Sequence, residues 1–368
     1  MQIKNINVFL KDKFVLCDLE FINKITNLTI IGKEDAKYEY AIPRYFDPHT
    51  HGGYGIDFNK IDQYSLQQIE DFIKQEKQEG LQNIFITTVT DSLENLKKIG
   101  LVINDLCKKY SFFAGWHLEG PFINKDKCGA HNQDLIIPLN EEFLEWLKKN
   151  ITCKIMFTFA PEVSNNLAIA CKYQPDFYWS IGHTCIDAKQ LANLHQLGFN
   201  RITHLCNAMN EFNHKENQAQ ILNYVLVNNL YCEVIYDYIH VNKLTLQIIN
   251  NNISNKYLGI VSDSLPAKGL IDTNYMLGSV PITKKGEICY IANTNTLAGS
   301  CNLYCNLVTK YFNLTNNLKS LVYLSSINQV KYFKIKGYMF NINVDASFLI
   351  INQEGRIIKI YEHGTQIN

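Results

Sequence analysis

The chain has 368 residues, enough for one large domain with a smaller one, or for two domains of ordinary size. Its 35 basic and 35 acidic residues give a formal net charge of zero, which argues against general binding to nucleic acids or to membrane surfaces. Hydrophobic residues make up 46% of the chain and charged residues 19%, as in ordinary soluble globular proteins.

The sequence favours a cytoplasmic protein. Charges are scattered through the N-terminal residues, without the apolar region of a signal peptide. No run approaches the roughly 18 apolar residues that a membrane span needs. The 11 cysteines are dispersed and form no CxxC pair, so we expect them to be reduced thiols.

Short apolar runs rich in β-branched and aromatic residues predict strands along most of the chain. In chain order they are Ala41–Phe46, Ile84–Val89, Phe112–His117, Lys154–Phe159, Phe177–Ile181, Arg201–His204, Tyr231–Tyr236 and Tyr257–Val261. Amphipathic stretches, several with a capping residue before them or a glycine after them, predict helices between the strands. These are Ser65–Gln78, Ser92–Lys109, Glu141–Lys149, Ala188–Leu197, Val241–Asn250 and Leu297–Phe312.

This alternation predicts an α/β protein built on a parallel (β/α)8 barrel, with a doubly wound open sheet as the alternative. The two ends of the chain have a different pattern, alternating and hairpin-like. We therefore expect residues 1–40 and 335–368 to form a small β-sandwich domain built from both termini, and residues 41–334 to form the barrel.

The stretch FDPHTHGG places His49 and His51 two positions apart at the end of the first predicted strand. Residues i and i+2 of a strand share one face, so both imidazoles could reach one metal ion. The pair alone is weak evidence, because two solvated residues at a strand end or turn would have the same spacing.

Other chemically active residues follow later strands, where the active site of a barrel forms. Alone, Glu119 could be a helix N-terminal acid, His183 or His204 a buried core histidine, and Asp263 a turn or cap residue. Together they predict a metallohydrolase site, since a carboxylate and two imidazoles hold a divalent ion and leave room for water. Asp263 is the strand-end carboxylate left over for general base and acid work.

At this point the sequence resembles a known family. The motifs HLEGPFIN…GAH, GHT, THLCNAMN, VSDSLPAKG and TLAGS resemble, in order and spacing, the N-acetylglucosamine-6-phosphate deacetylases of the amidohydrolase superfamily. The resemblance covers roughly residues 41 to 300. It implies a barrel with a terminal β-sandwich, a homodimer, and hydrolysis of the acetamide of N-acetylglucosamine 6-phosphate.

The resemblance also implies roles for individual residues. Glu119, His183 and His204 match the ligands of the principal metal, and Asp263 matches the catalytic acid and base. Further matches are predicted to bind substrate: His131 near the scissile amide, and Asn207, Ala208, Lys215 and His240 near the phosphate.

Three departures from the family pattern are evident: one at Arg44, one at Lys215, and one in the short, divergent terminal regions. Arg44 stands where the family usually has glycine, and Lys215 stands where the family commonly has arginine for phosphate. Lysine supplies the charge but lacks the planar fork of arginine.

The family is divided over the HxH pair. Some members keep it and can hold two metals, while others have replaced it and work with one. Because His49 and His51 are both present, we expect one or two divalent ions per chain, with two favoured and zinc or iron both suitable. Two other functions stay open: a deacetylase of another phosphosugar such as N-acetylgalactosamine 6-phosphate, and a catalytically silent barrel.

Overall fold

The computed structural model of the protein describes residues 1–215 and 217–368. Within these residues the strands are, in chain order, β1 (Gln2–Leu10), β2 (Lys13–Phe21), β3 (Ile25–Lys33), β4 (Tyr40–Pro43), β5 (Tyr45–Thr50), β6 (Gly52–Gly53), β7 (Ile56–Asp57), β8 (Leu81–Thr88), β9 (Phe113–Glu119), β10 (Lys154–Phe159), β11 (Tyr178–Ile181), β12 (Arg201–Ile202), β13 (Tyr231–Val234), β14 (Leu258–Ile260), β15 (Asn274–Leu277), β16 (Val280–Lys285), β17 (Ile288–Ile291), β18 (Leu297–Ser300), β19 (Phe348–Ile351), β20 (Ile357–Glu362) and β21 (Thr365–Gln366).

The α-helices are α1 (Leu66–Gln78), α2 (Leu93–Lys109), α3 (Glu141–Asn150), α4 (Asn166–Tyr173), α5 (Ala188–Gln196), α6 (Ile221–Val225), α7 (Lys243–Asn252), α8 (Tyr304–Thr315), α9 (Leu318–Val322) and α10 (Asn328–Tyr332). A π-helical segment, Tyr323–Ile327, joins the last two. Short 3-10 helices cover Phe58–Gln63, Lys125–Lys127, Gln133–Leu135 and Asn255–Tyr257. None of the helices described combines the length and the apolar character that a membrane crossing requires.

A parallel eight-stranded sheet forms the centre of the fold, in the order β5-β8-β9-β10-β11-β12-β13-β14. The chain beyond β14 returns to β5: the amide of Asp263 donates to the carbonyl of His49 at 2.9 Å, and the amide of His51 donates to the carbonyl of Ser264 at 2.8 Å. These bonds bring the two outer strands together, so the sheet is a nearly closed barrel. The predicted barrel is confirmed, and the open doubly wound sheet is excluded.

The eight predicted strands all appear in the barrel, with one revision at the first. The predicted strand Ala41–Phe46 spans two elements: β4 pairs with β1 and β19, while β5 begins the barrel at Tyr45. Arg44 stands between them. The chain thus changes sheets within one apolar run, which a pattern of hydrophobicity cannot reveal because both strands are buried.

The predicted β domain built from both termini is present as a seven-stranded sheet, in the order β21-β20-β19-β4-β1-β2-β3. One face carries its own apolar cluster, which includes Val8, Cys17, Phe21, Phe348 and Tyr361. The limits 1–40 and 335–368 remain a prediction for this domain.

A four-stranded antiparallel sheet, β15-β16-β17-β18, follows the last barrel strand and has no counterpart in the sequence expectations. It corrects the predicted helix Leu297–Phe312: Leu297–Ser300 is strand β18, and helix α8 begins only at Tyr304. The amide of Ser300 donates to the carbonyl of Asp263 at 2.8 Å, which fixes this sheet beside the carboxyl end of β14.

Candidate active site

The carboxyl ends of the barrel strands bring the predicted metal ligands together. His49 lies in β5 and His51 directly after it, and Glu119 is the last residue of β9. His183, His204 and Asp263 each follow the end of a strand by two or three residues. All six residues are at most 9% exposed.

The donor atoms form two groups that share Glu119. In one group, Nε2 of His183 and Nε2 of His204 lie 3.2 and 2.9 Å from Glu119 Oε1, and 3.0 Å from each other. In the other group, His51 Nε2 lies 3.1 Å from Glu119 Oε2, and His49 Nε2 lies 3.3 Å from both Glu119 Oε1 and His51 Nε2. Glu119 therefore stands between two candidate metal positions.

The donor set fits divalent ions. Ligand atoms bound at about 2.0–2.2 Å around one tetrahedral ion lie about 3.3 Å from each other, close to the spacing in both groups. Burial alone would lower the pKa of His51, but the carboxylates of Asp263 and Glu119 raise it to about 8. The cluster thus stabilises added positive charge, and imidazole with carboxylate suits zinc or iron.

The backbone at three of these residues adopts the left-handed region that non-glycine residues avoid: φ is 49° at His183, 28° at His204 and 48° at Asp263. Each residue lies just beyond a barrel strand, where the chain turns and points a side chain toward the barrel axis. Such strain costs roughly 1–3 kcal/mol per residue and persists where the surrounding structure enforces it, often at functional sites.

Hydrogen bonds fix the orientation of two imidazoles. His183 Nδ1 lies 2.8 Å from the carbonyl oxygen of Lys127, and His49 Nδ1 lies 3.1 Å from Glu233 Oε2. Since both partners are acceptors, each Nδ1 carries the proton and donates it. The Nε2 lone pairs then face the site, as metal binding requires.

Asp263 lies closer to the histidine pair than its expected role outside the ligand set implied. Its Oδ1 atom is 3.1 Å from His51 Nε2 and 3.5 Å from His49 Nε2. Burial alone would raise the pKa of Asp263, but His49 and His51 hold it below its ordinary value. Asp263 is therefore both a candidate base and a candidate ligand.

His131 is held with a proton directed into the site. The backbone amide of Thr90 donates to His131 Nδ1 at 3.1 Å, so this nitrogen is an acceptor and Nε2 carries the hydrogen. Nε2 lies 3.4 Å from Glu119 Oε2. Burial is the main cause that lowers the pKa of His131, to about 4, so the ring is a neutral donor at pH 7.

A cavity of about 380 Å³ opens beside these residues. Asn207, Ala208 and His240 line it, as their predicted contact with substrate requires. His240 Nδ1 lies 2.6 Å from Asp237 Oδ2, a bond that raises the pKa of His240 against the effect of burial and favours a cationic ring. Lys215 lies on an exposed loop and is not among the described residues that line the cavity.

Sequence reasoning missed four residues that bear on the site. Lys127, in the stretch before His131, is the one lysine or arginine among the described residues that line the cavity. The centroid of the His117 ring lies 4.5 Å from that of the His49 ring. His117 stands two residues before Glu119, on the same strand face, and this spacing could have indicated that it lies near the site. Arg201 and Glu233 are buried charged residues in predicted strands. A charge in a buried strand is costly, so their positions in the sequence could have indicated a special role.

Arg44 lies at the opposite end of the barrel from the ligands. Its guanidinium donates to the carbonyl of Leu81 at 2.6 Å and lies 3.7 Å from Glu362 Oε1, so it joins the barrel to the terminal sheet. The departure from the family pattern at this position therefore leaves the ligand set untouched.

Comparison with known proteins gives a consistent result, although no protein-family model matches the chain. The N-acetylglucosamine-6-phosphate deacetylase of Bacillus subtilis is 26% identical over 330 residues, which cover 86% of this chain and 82% of the relative. The enzyme of the same name from Danio rerio is 26% identical over 350 residues, covering 90% and 85%.

Solved structures agree in fold. The crystal structure of N-acetylglucosamine-6-phosphate deacetylase from Thermotoga maritima aligns with a TM-score of 0.89 at 24% identity, covering 100% of this chain and 99% of the other. A variant of the Mycobacterium smegmatis enzyme in complex with N-acetyl-D-glucosamine 6-phosphate aligns with a TM-score of 0.88 at 19% identity, with the same coverage. The chain is therefore a homologue of the N-acetylglucosamine-6-phosphate deacetylases, and the resemblance seen in its motifs is confirmed.

Proposed function

We propose that this protein hydrolyses the acetamide of N-acetyl-D-glucosamine 6-phosphate to D-glucosamine 6-phosphate and acetate, a step of amino-sugar breakdown. The observation that carries the proposal is the convergence of Glu119, His183, His204 and Asp263 at the floor of one cavity. The homologues named above carry this activity in their names.

Glu119, His183 and His204 would hold one divalent ion, and His49, His51 and Glu119 would hold a second. A divalent ion in such a site lowers the pKa of a water molecule and polarises a carbonyl. We propose about two ions per chain, with zinc and iron both suited to the imidazole ligands.

Asp263 would accept the proton of the attacking water and return it to the nitrogen of the amide. The C–O bond to the acetyl carbon forms, the C–N bond breaks, and the amine leaves neutral. His49 and His51 lower the pKa of Asp263 below its ordinary value, so the carboxylate is ionised at pH 7. His131, with its Nε2 hydrogen directed into the cavity, would donate to the acetamide oxygen as negative charge develops there.

The phosphate would be held at the side of the cavity lined by Asn207, Ala208 and His240. Lys127 is well placed to add a charge there: its Nζ donates to the carbonyl of Met209 at 3.2 Å, which leaves two of its three hydrogens for a ligand. Lys215 would add a second charge from its loop, as the family resemblance suggests.

The experiment is to incubate the purified protein with N-acetylglucosamine 6-phosphate and to measure acetate and glucosamine 6-phosphate together. We expect equal amounts of both, and loss of both in the Glu119→Gln variant, which keeps the size of the side chain but removes its charge. Competition with N-acetylgalactosamine 6-phosphate tests the alternative substrate, which differs at one hydroxyl. Preference for that epimer would overturn the proposed substrate.

We also propose that the protein acts in the cytoplasm as a homodimer, on the basis of its dispersed cysteines and the family resemblance. Light scattering at several protein concentrations tests the dimer, and a mass of one chain throughout would overturn it.

A further inference from the structure

An ion pair lies inside the barrel, beneath the proposed metal centre. Nε and Nη2 of Arg201 donate to Glu233 Oε1 at 3.1 and 2.7 Å, and both side chains are fully buried. Nη2 of Arg201 also lies 3.1 Å from Oε1 of Gln329. A buried ion pair is weak support for stability, because removing two charges from water costs several kcal/mol per ion. The pair therefore calls for an explanation other than packing.

The second carboxylate oxygen of Glu233 faces the metal centre. Oε2 lies 3.1 Å from His49 Nδ1 and 3.4 Å from the backbone amide of His204. On the far side of the imidazole, His49 Nε2 points at Glu119 Oε1 and Asp263 Oδ1, at 3.3 and 3.5 Å. One chain of contacts thus runs from a fixed cation through a carboxylate and an imidazole to the site.

We propose that Glu233, anchored by Arg201, is a positioning residue that holds His49 in the tautomer and orientation needed to bind the second metal ion. This inference rests on the proposed function, since it assumes the metal centre described there. A carboxylate behind a ligating histidine fixes which ring nitrogen carries the proton and makes the ring a better ligand. Glu233 fits this arrangement because it can only accept hydrogen bonds while it is ionised.

Arg201 fixes Glu233 in this role. Oε1 accepts two hydrogen bonds from the guanidinium, and Oε2 accepts one from the backbone amide of His204 at 3.4 Å, so fixed donors face both carboxylate oxygens. The guanidinium itself is held in place by aromatic rings on its faces. The centroids of Tyr231, Tyr332 and Phe333 lie 4.4, 4.5 and 4.8 Å from its carbon.

The Glu233→Gln variant reverses the hydrogen bond to His49 with little change in shape. Arg201 presents two donors to the Oε1 position, so the amide oxygen of Gln occupies it and the NH₂ group faces His49 Nδ1. The amide then donates to Nδ1, which must become the acceptor, and the ring proton moves to Nε2. A protonated Nε2 cannot bind a metal ion.

The test is zinc binding to the chelator-treated protein, measured by elemental analysis after dialysis and by competition with a chromophoric chelator. We expect the wild type to bind about two zinc ions per chain. In Glu233→Gln the weaker site should lose about 10- to 100-fold in affinity, while the other, which loses only the long hydrogen bond from the His204 amide at 3.4 Å, should change much less. The His49→Gln variant is the reference for complete loss of the second site.

Glu79→Gln is the matched control, because Glu79 is another buried carboxylate with a basic partner, Lys268, at 3.0 Å, and it contacts no ligand. It should keep both zinc ions. If Glu233→Gln does not fold, the Arg201→Gln/Glu233→Gln variant removes both charges and should weaken the same site.

Three results would overturn the inference. The first is zinc binding by Glu233→Gln equal to that of the wild type while His49→Gln loses a site, and the second is equal loss in Glu79→Gln. Equal zinc content in the wild type and His49→Gln would overturn it as well, since the second site would then not exist. Failure of the proposed function has a different signature, namely absence of acetate release by a wild type that binds zinc.

Discussion

His49 and Asp263 meet twice across the seam where the barrel closes. Their backbones are joined by the Asp263 amide, which donates to the His49 carbonyl at 2.9 Å, and their side chains approach to 3.5 Å between Nε2 and Oδ1. The candidate base and a candidate ligand of the second metal ion are therefore held in place by the same backbone hydrogen bond. Mutations at either residue should affect both proton transfer and the second metal site.

The Asp263→Asn variant should lose most of its turnover. The amide keeps the size of the side chain but cannot accept a proton, and general acid–base groups typically contribute about 10²–10⁴-fold. The measurement is kcat for acetate release, with zinc content determined on the same sample. The ion at His183 and His204 should remain, since Asp263 is not in that group.

Asp126→Asn serves as its control, because Asp126 lines the same cavity outside both donor groups. A kcat for Asp263→Asn close to that of the wild type would remove Asp263 from the mechanism.

The His49→Gln/His51→Asn variant should lower the metal content from about two ions per chain to about one. Both replacements keep polar side chains but remove the two Nε2 atoms that would bind the metal ion in the second group. Elemental analysis of protein purified without chelator is the measurement. One ion per chain in both proteins, with unchanged activity, would show that the pair is not a functional metal site.

Lys127→Ala should raise KM for the 6-phosphate sugar much more than KM for the unphosphorylated sugar. A charge-assisted contact to phosphate is worth about 1.5–3 kcal/mol, or roughly 10- to 150-fold. Lys215→Ala should act in the same direction but less strongly, because its side chain is exposed and screened by solvent. Equal effects of Lys127→Ala on both sugars would assign the lysine to loop structure instead.

Arg44→Ala should separate stability from activity. It removes the hydrogen bonds to Lys77 and Leu81 and opens a cavity in a buried region, which together cost about 2–4 kcal/mol of unfolding free energy. Glu362 keeps Lys77 as a partner at 2.5 Å. Urea denaturation measures the stability. A kcat/KM changed by more than about threefold would contradict a purely structural role.

The barrel and its strand-end ligands could be predicted from the sequence because both depend on local patterns. Apolar runs mark the strands, and a parallel barrel necessarily gathers the residues after each strand at one end. His183, His204 and Glu119 could therefore be predicted to meet without knowledge of their distances.

Other features depend on contacts between distant segments and leave weaker traces. The place of Asp263 beside His51 follows from the register in which the barrel closes, which no local pattern encodes. Glu233 and Arg201 stand in apolar runs where a charge is costly, but only the fold shows that they lie beneath His49. The β15-β18 sheet was not predicted, because the residues of β18 directly precede a helical pattern and were read as part of that helix.

The most direct test of the central claim is a titration of the metal-depleted wild type with zinc, in which acetate release from N-acetylglucosamine 6-phosphate is followed at each addition. The account predicts almost no activity without metal, recovery as the His183 and His204 site fills, and a plateau near two equivalents per chain. Acetate release that is independent of added metal, or absence of release from fully zinc-loaded protein, would contradict it.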